Sequence, residues 1–187
     1  MNFKTIVKIV SLALFVSVFG QNALAMEISR EELNNALLEA AIHDNADQLT
    51  KLLAAGADVN CKGYDDEWTP TSLILASVYK HPAIVKILLE HGADINCKDN
   101  RDDTPLIRAS DSACSQIVKM LLDHGADIDC KNMFGKTALD FVMWGSTKRQ
   151  ECKEIALLLT NESQRKTEKA QQQLTENKQA LSKNYSS

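Results

Sequence analysis

Aromatic side chains are scarce in this 187-residue chain, at two Trp, three Tyr and five Phe, or 5% of the total. Any core must be built from aliphatic groups, in keeping with a hydrophobic content of 44%. Seven glycines and three prolines are too few for a collagen-like or Pro-rich chain. Positive charge is not in excess: 21 Lys and Arg stand against 25 Asp and Glu, a net charge of −4. General nucleic-acid binding needs clustered cations to displace counterions, so no nucleic-acid partner is expected. Five cysteines contain no Cys-x-x-Cys, which argues against a redox dithiol or zinc knuckle. The histidines His43, His81, His91 and His124 never pair at i+3 or i+4, and no His-Glu-x-x-His exists, so neither a metal nor another cofactor is expected. Gly135-Lys136-Thr137 resembles the end of a phosphate-binding loop, but Cys130 stands where that loop needs its first glycine. No nucleophile–base constellation is visible, and the chain is not expected to be an enzyme.

The long apolar run lies at the start. Met1–Ala25 carries Lys4 and Lys8, no acidic residue, an apolar stretch Ile9–Phe19 broken only by Ser11 and Ser17, and then Ala23-Leu24-Ala25. A basic opening, a short apolar run and Ala-x-Ala describe a cleavable secretory signal peptide. A bilayer span needs about 20 apolar residues, so no stable membrane anchor is expected after cleavage. Residue 26 is Met rather than Cys, and a bacterial lipoprotein anchor is not indicated. Cleavage after Ala25 takes away two lysines and no acids, leaving 19 basic and 25 acidic residues and a net charge of −6. The remainder is expected to be secreted or periplasmic.

Beyond this segment an internal repeat dominates. Leu52-Leu53-Ala54-Ala55-Gly56-Ala57-Asp58-Val59-Asn60-Cys61-Lys62 returns as Leu88-Leu89-Glu90-His91-Gly92-Ala93-Asp94-Ile95-Asn96-Cys97-Lys98 and as Leu121-Leu122-Asp123-His124-Gly125-Ala126-Asp127-Ile128-Asp129-Cys130-Lys131, with glycines 36 and 33 residues apart. Trp68-Thr69-Pro70 and Thr104-Pro105-Leu106-Ile107-Arg108-Ala109 precede the last two, and Gly135-Lys136-Thr137-Ala138-Leu139-Asp140 opens a fourth unit. These segments closely resemble the ankyrin repeat, whose period is about 33 and whose signature is Thr-Pro-Leu-His-x-Ala. The resemblance implies an all-α solenoid of about four helix–turn–helix repeats joined by β-hairpin-like fingers. The repeats fall at 30–60, 61–96, 97–130 and 131–159, within a domain spanning 26–159.

Each element has a physical reason. Thr69 and Thr104 are expected to cap first helices, with Pro70 and Pro105 at the first helical position, where no N–H is missed. Ile84, Val85, Leu88 and Leu89, and then Ile117, Val118, Leu121 and Leu122, form stripes of helical period that must stack on neighbouring repeats. Gly56, Gly92 and Gly125 stand where a helix needs a left-handed residue to stop. His91 and His124, just before two of these glycines, can bond the terminal carbonyls. Ser29-Arg30-Glu31-Glu32 is a capping box that starts the first helix near Arg30, with Ile28 and Leu33 as its hydrophobic staple. Glu31, Asn34, Asn35 and Glu39 suit an end with no preceding repeat. Residues 154–159 supply the last helix, and no Gly-Ala-Asp follows. Residues 160–187 read as a polar tail, partly helical or disordered. Three extra residues swell the second finger around 63–68, so that Thr71-Ser72-Leu73-Ile74 stands in phase with Thr-Pro-Leu-His, and four or five lie within 144–151.

The cysteines set a constraint. Cys61, Cys97 and Cys130 share one repeat position and form a ladder whose rungs, about 8–10 Å apart, are too distant for disulfides. Cys114 and Cys152 lie near interhelix turns of adjacent repeats, where the last insertion can bring them together. Exposed free thiols suit an oxidising compartment poorly, so export demands either a reducing destination or buried thiols.

The resemblance also implies a recognition surface, since fingers and first helices line the concave face of such domains. Tyr64, Trp68 and Phe134 fall in fingers, and Tyr79 and Trp144 at the ends of first helices. With Arg101 and Asp111 they make the expected partner-binding set, aromatic anchors being typical of protein interfaces. Asp65, Asp66, Glu67, Asp99, Asp102, Asp103 and Asp111 would make the face negative and favour a partner with a basic surface. The function expected is an exported protein–protein interaction module, a secreted factor binding another cell's protein. The alternative is a periplasmic structural or protective scaffold.

Overall fold

The computed structural model describes residues 29–63, 68–144 and 150–184, without the side chains of Trp144 and of residues 180–184. The expected signal peptide, Tyr64 to Glu67 and the insertion at 145–149 lie outside the described residues. Among the described residues there are eight helices: α1 (Arg30–Ile42), α2 (Ala46–Ala54), α3 (Ser72–Val78), α4 (Pro82–Glu90), α5 (Pro105–Asp111), α6 (Ser115–Asp123), α7 (Ala138–Trp144) and α8 (Gln150–Asn184). The odd-numbered helices pack on one another in order as one layer, and the even-numbered ones as a second. Between the layers Leu37, Leu49, Leu73, Ile84, Leu106, Ile117 and Ile155 are fully buried, so the core is aliphatic throughout.

The helix ends follow local chemistry. Ser29 Oγ accepts from the Glu32 N–H while the Glu32 carboxylate accepts from the Ser29 N–H, both at 3.2 Å, which closes the capping box. Thr104 Oγ1 accepts from the Ile107 N–H at 3.3 Å, with Pro105 opening α5. The second repeat departs from expectation: Thr71, not Thr69, caps α3, accepting from the Ile74 N–H at 3.4 Å. The inserted finger residues push Thr69 and Pro70 out of the helix, and the Pro70 carbonyl instead accepts from the Gly63 N–H at 2.9 Å. Gly56, Gly92 and Gly125 take φ of +96°, +80° and +86°, the left-handed region that ends each second helix. His91 and His124 Nδ1 each lie 2.8 Å from a carbonyl one turn back, Ile87 and Met120, and donate to it.

The fingers are turns rather than hairpins of strands. A single antiparallel bridge, Lys62 with Thr71, stands among the described residues. Fingers three and four each close around a buried side chain. Asp99 Oδ1 accepts from the N–H groups of Arg101 and Asp103, both at 2.9 Å. Asn132 Oδ1 accepts from those of Phe134 and Lys136, both at 3.0 Å. With two N–H groups satisfied by one side chain, a β ladder is not needed.

A polar ladder ties the repeats together. Asn34 Oδ1 accepts from the Asp58 N–H at 2.8 Å, Asn60 from Asp94 at 2.8 Å and Asn96 from Asp127 at 2.9 Å. At the next rung the residue is Asp129, and Lys166 Nζ donates to both Asp127 Oδ1 (2.8 Å) and Asp129 Oδ2 (3.0 Å). That hydrogen bond from Lys166 is the main reason Asp127 sits below the ordinary carboxylate value, and Lys166 is raised in turn. Lys166 belongs to α8, whose 35 residues, about 52 Å of helix, run without a break through residue 159. The polar tail therefore begins as a continuation of the last repeat helix and closes the ladder with a cation where the earlier repeats supply a backbone N–H.

Replacing Asn96 with Ala removes the acceptor of the partly buried Asp127 N–H. The expected loss is about 1 kcal/mol in urea unfolding, with the helical circular dichroism of the native state unchanged.

Candidate functional site

The face made by the fingers and the first-layer helix ends is assembled around one buried ion cluster. Arg108 stands on α5 where α3 has the buried Leu75, so its guanidinium meets the protein interior and needs an anion. It finds two: Nη2 lies 2.9 Å from Asp99 Oδ2 and 3.0 Å from Asp103 Oδ2. Trp68 donates from Nε1 to the same Asp99 oxygen at 2.8 Å, and the Arg108 guanidinium carbon sits 5.7 Å from its ring centre. Asn132 donates from Nδ2 to Asp103 Oδ1 at 2.8 Å. Three successive fingers and one helix thus share a single network, and the Met133 N–H adds a 2.9 Å bond to the Arg101 carbonyl.

The two carboxylates respond differently. Burial pushes Asp99 up, but hydrogen bonds from Arg108, Trp68 and the N–H groups of Asp103 and Arg101 together hold it below the usual carboxylate value. Burial dominates at Asp103, and with the Asp99 and Asp111 charges it outweighs Asn132 and Arg108, leaving that carboxyl raised.

This network redistributes the residues singled out in the sequence. Trp68 is half-buried, its ring against Arg108 and its N–H on Asp99, and it anchors the enlarged second finger. Asp99 and Asp103 are buried, so two of the seven acids expected on the face are withdrawn from it. Asp102 and Asp111 remain exposed, and so does Arg101. Phe134 is 67% exposed at the tip of the fourth finger, beside Met133 at 60%. Tyr79 follows the end of α3, 46% exposed, its ring stacked on His81 with centres 6.3 Å apart. Trp144 is the last residue of α7, and Tyr64 lies outside the described residues. Phe134, Met133 and Arg101 are thereby brought together on neighbouring fingers. Met133 was not singled out by the sequence reading, although its place beside Phe134 in a finger was a sufficient signal. Arg108 was missed too: a lone cation at a core register position is a sign of buried anions.

Three of the five thiols, Cys61, Cys97 and Cys152, are withdrawn as well. Cys61 and Cys97 are buried, and burial is the main cause that pushes each up to about 11. Cys97 Sγ lies 3.1 Å from Thr71 Oγ1, and Cys61 Sγ donates to the Asn34 carbonyl at 3.7 Å. Burial also raises the half-buried Cys130. All five cysteines are free, and the suggested pairing of Cys114 with Cys152 is not formed. Each stands three residues before the first buried isoleucine of its helix, Ile117 and Ile155, so they occupy matching places on stacked helices about 8–10 Å apart. Among the described residues no group of three or more metal-ligating side chains converges, and no helix is long and apolar enough to cross a membrane.

Asp99→Asn is expected to cost about 2 kcal/mol at neutral pH, because it weakens charged hydrogen bonds from Arg108 and Trp68. A carboxylate depressed by folding contributes stability above its unfolded value, about 3.9, and loses it as pH falls through the folded value. The stability gap between wild type and Asp99→Asn should therefore narrow below about pH 4. Asp103, raised by folding, should show the opposite trend for Asp103→Asn, its gap narrowing as pH rises. Urea titrations of the three proteins from acid to neutral pH provide the check.

A family description of ankyrin repeats in three copies matches residues 37–132 and again 73–173, nearly three quarters of the chain. No match was found among curated proteins. Two stacked helical layers, glycine-ended second helices and Asx-closed fingers agree with that match, and the chain belongs to the ankyrin-repeat family, whose members bind other proteins.

Proposed function

We propose that this chain is an exported adaptor that binds another protein through its finger tips and first-layer helix ends. The observation that carries this reading is the fourth finger tip. Phe134 and Met133 stand in solvent, yet their backbone is held by Asn132 Oδ1 and by the Arg101 carbonyl. A large apolar side chain on a pre-ordered turn binds without the entropic cost of ordering a loop, which favours a hot spot. Tyr79 and the exposed Arg101 extend the surface along the array. The basic partner patch suggested by the acids now rests on the exposed Asp102 and Asp111, and it must also accommodate Arg101. Charge of this kind steers encounter more than it sets affinity.

Export rests on Met1–Ala25, and a secreted role against another cell's protein is the reading we adopt. Buried thiols ease its main difficulty, because Cys61, Cys97 and Cys152 are shielded from solvent and need no reducing destination. Fractionation separates this reading from a periplasmic scaffold: processed chain beginning at Met26 in the medium or in a target cell supports it, and retention in the periplasm supports the scaffold.

Two outcomes are expected. With a partner captured by the chain from residue 26 onward, Phe134→Ala should weaken binding by about 2 kcal/mol, roughly thirtyfold, at unchanged stability. Trp68→Ala should instead lower stability first; equal affinity for Phe134→Ala and wild type would remove the finger tip from the interface. In a thiol titration of native protein near pH 8, Cys114 should react first, Cys130 more slowly because burial and Asp127 disfavour its thiolate, and Cys61, Cys97 and Cys152 only on unfolding. Five prompt thiols would point to a reducing destination.

A further inference from the structure

The ion cluster beneath the fingers holds more negative charge than positive. Asp99 Oδ2 and Asp103 Oδ2 both rest on Nη2 of Arg108, and both carboxylates are buried, so two anions share one cation away from solvent. The second and fourth fingers bring Trp68 and Asn132 to the cluster, and these carry no charge. Among the described residues, the charges that bear on Asp103 are Arg108, Asp99 and Asp111, the last an anion at the end of α5. An enclosed group with a surplus of anions takes up a proton more readily than a free carboxyl. Hydrogen bonds decide where the proton goes. Four donors hold Asp99 as a carboxylate: the N–H groups of Arg101 and Asp103, Trp68 Nε1 and Arg108 Nη2. Asp103 has two, Asn132 Nδ2 on Oδ1 and Arg108 Nη2 on Oδ2. Burial and the neighbouring anions accordingly raise Asp103, whereas at Asp99 burial is outweighed by its four bonds.

A proton on Asp103 cannot sit beside both donors. On Oδ2 it meets the hydrogen of Arg108 Nη2, and the guanidinium passes wholly to Asp99. Asn132 is then left donating to a neutral acid, and a hydrogen bond to an ionised acceptor is about twice as strong as that. On Oδ1 the proton displaces Asn132 outright. Either way the fourth finger loses hold, because Asn132 is the side chain that closes it, accepting from the N–H groups of Phe134 and Lys136. The second and third fingers keep theirs, since Trp68 and the third-finger N–H groups are bound to Asp99. We propose that Asp103 is a proton-operated latch on the fourth finger. Ionised, it holds Asn132 and so steadies the tip that carries Phe134 and Met133; protonated, it lets that finger alone slacken. Resting on the reading of Phe134 as a partner contact, the latch makes recognition tight near neutral pH and weaker in mild acid.

Amide hydrogen exchange of the purified chain, read residue by residue by NMR from about pH 7 to about pH 4 and corrected for intrinsic rates, tests this without a partner. The Phe134 and Lys136 amides should lose protection about fivefold as pH falls, while the Arg101 and Asp103 amides, held by Asp99, keep theirs. The carboxyl carbon of Asp103 should titrate over the same range. Asp103→Asn, uncharged at every pH, should show the slack tip throughout. Equal protection of the tip across the series in the wild-type chain would overturn the proposal, and that measurement needs no variant to fold. A loss shared by Arg101 and Asp103 would overturn it too, as the mark of general acid unfolding, and so would a pH dependence retained in Asp103→Asn. With a captured partner, affinity should fall by a similar factor on acidification for wild type and stay level for Asp103→Asn. Unchanged affinity of Phe134→Ala beside the expected exchange would remove the interface reading and leave the latch standing.

Discussion

A single repeat of this protein cannot cover its own apolar face, and everything else in the structure follows from that. The face of α1 that carries Leu37 is closed only because α2 and α3 lie against it, and so on along the array. Stability is shared between neighbours rather than gathered in one centre, as in other stacked-repeat proteins. The two ends therefore carry a special burden. At the start, Glu31, Asn35 and the capping box give a polar edge. At the finish, α7 keeps Leu139 and Met143 at positions that are interior in every earlier repeat.

Apolar stacking fixes the distance between repeats but not their register along the face; polar groups do that. Asn34, Asn60 and Asn96 each reach to one backbone N–H of the next unit. The change to Asp at 129 marks where the ladder runs out of N–H groups, and Lys166 of the long α8 takes their place. The fingers are held by a second polar system, in which Asp99, Asp103, Arg108, Trp68 and Asn132 join three of them. A buried cluster of this kind stabilises little by itself, since desolvation offsets much of the attraction. Its effect is specific: it fixes the finger tips, and with them the exposed Phe134 and Met133.

The same burial bears on where the protein can work. The export proposed from Met1–Ala25 and five unpaired cysteines pull against each other in an oxidising medium. The repeat position that holds Cys61 and Cys97 faces the interior, and a small thiol there packs as an apolar group whose ionisation is strongly disfavoured. The cysteine ladder is then a matter of packing along the array.

Much of this was legible in the chain itself. The period of Gly56, Gly92 and Gly125, the apolar stripes between them and the capping box at Ser29 determined two helices per repeat, their ends and their stacking, because backbone conformation and amphipathic periodicity are local properties. The cap at Thr71 rather than Thr69 was within reach of the repeat register, yet the insertion before it made Thr69-Pro70 the more familiar pattern. Other outcomes depended on groups far apart in sequence. Trp68 looked like a free anchor until Asp99, 31 residues away, took its N–H. Asp99 and Asp103 looked like surface charge until Arg108 drew them inward. The polar tail looked like a break until Lys166 met Asp127, 39 residues earlier, along an uninterrupted helix. Sequence by itself determined the repeat; only the tertiary structure decided which of its polar and aromatic residues face a partner, because burial and pairing are set by neighbours that stacking, not adjacency, brings together.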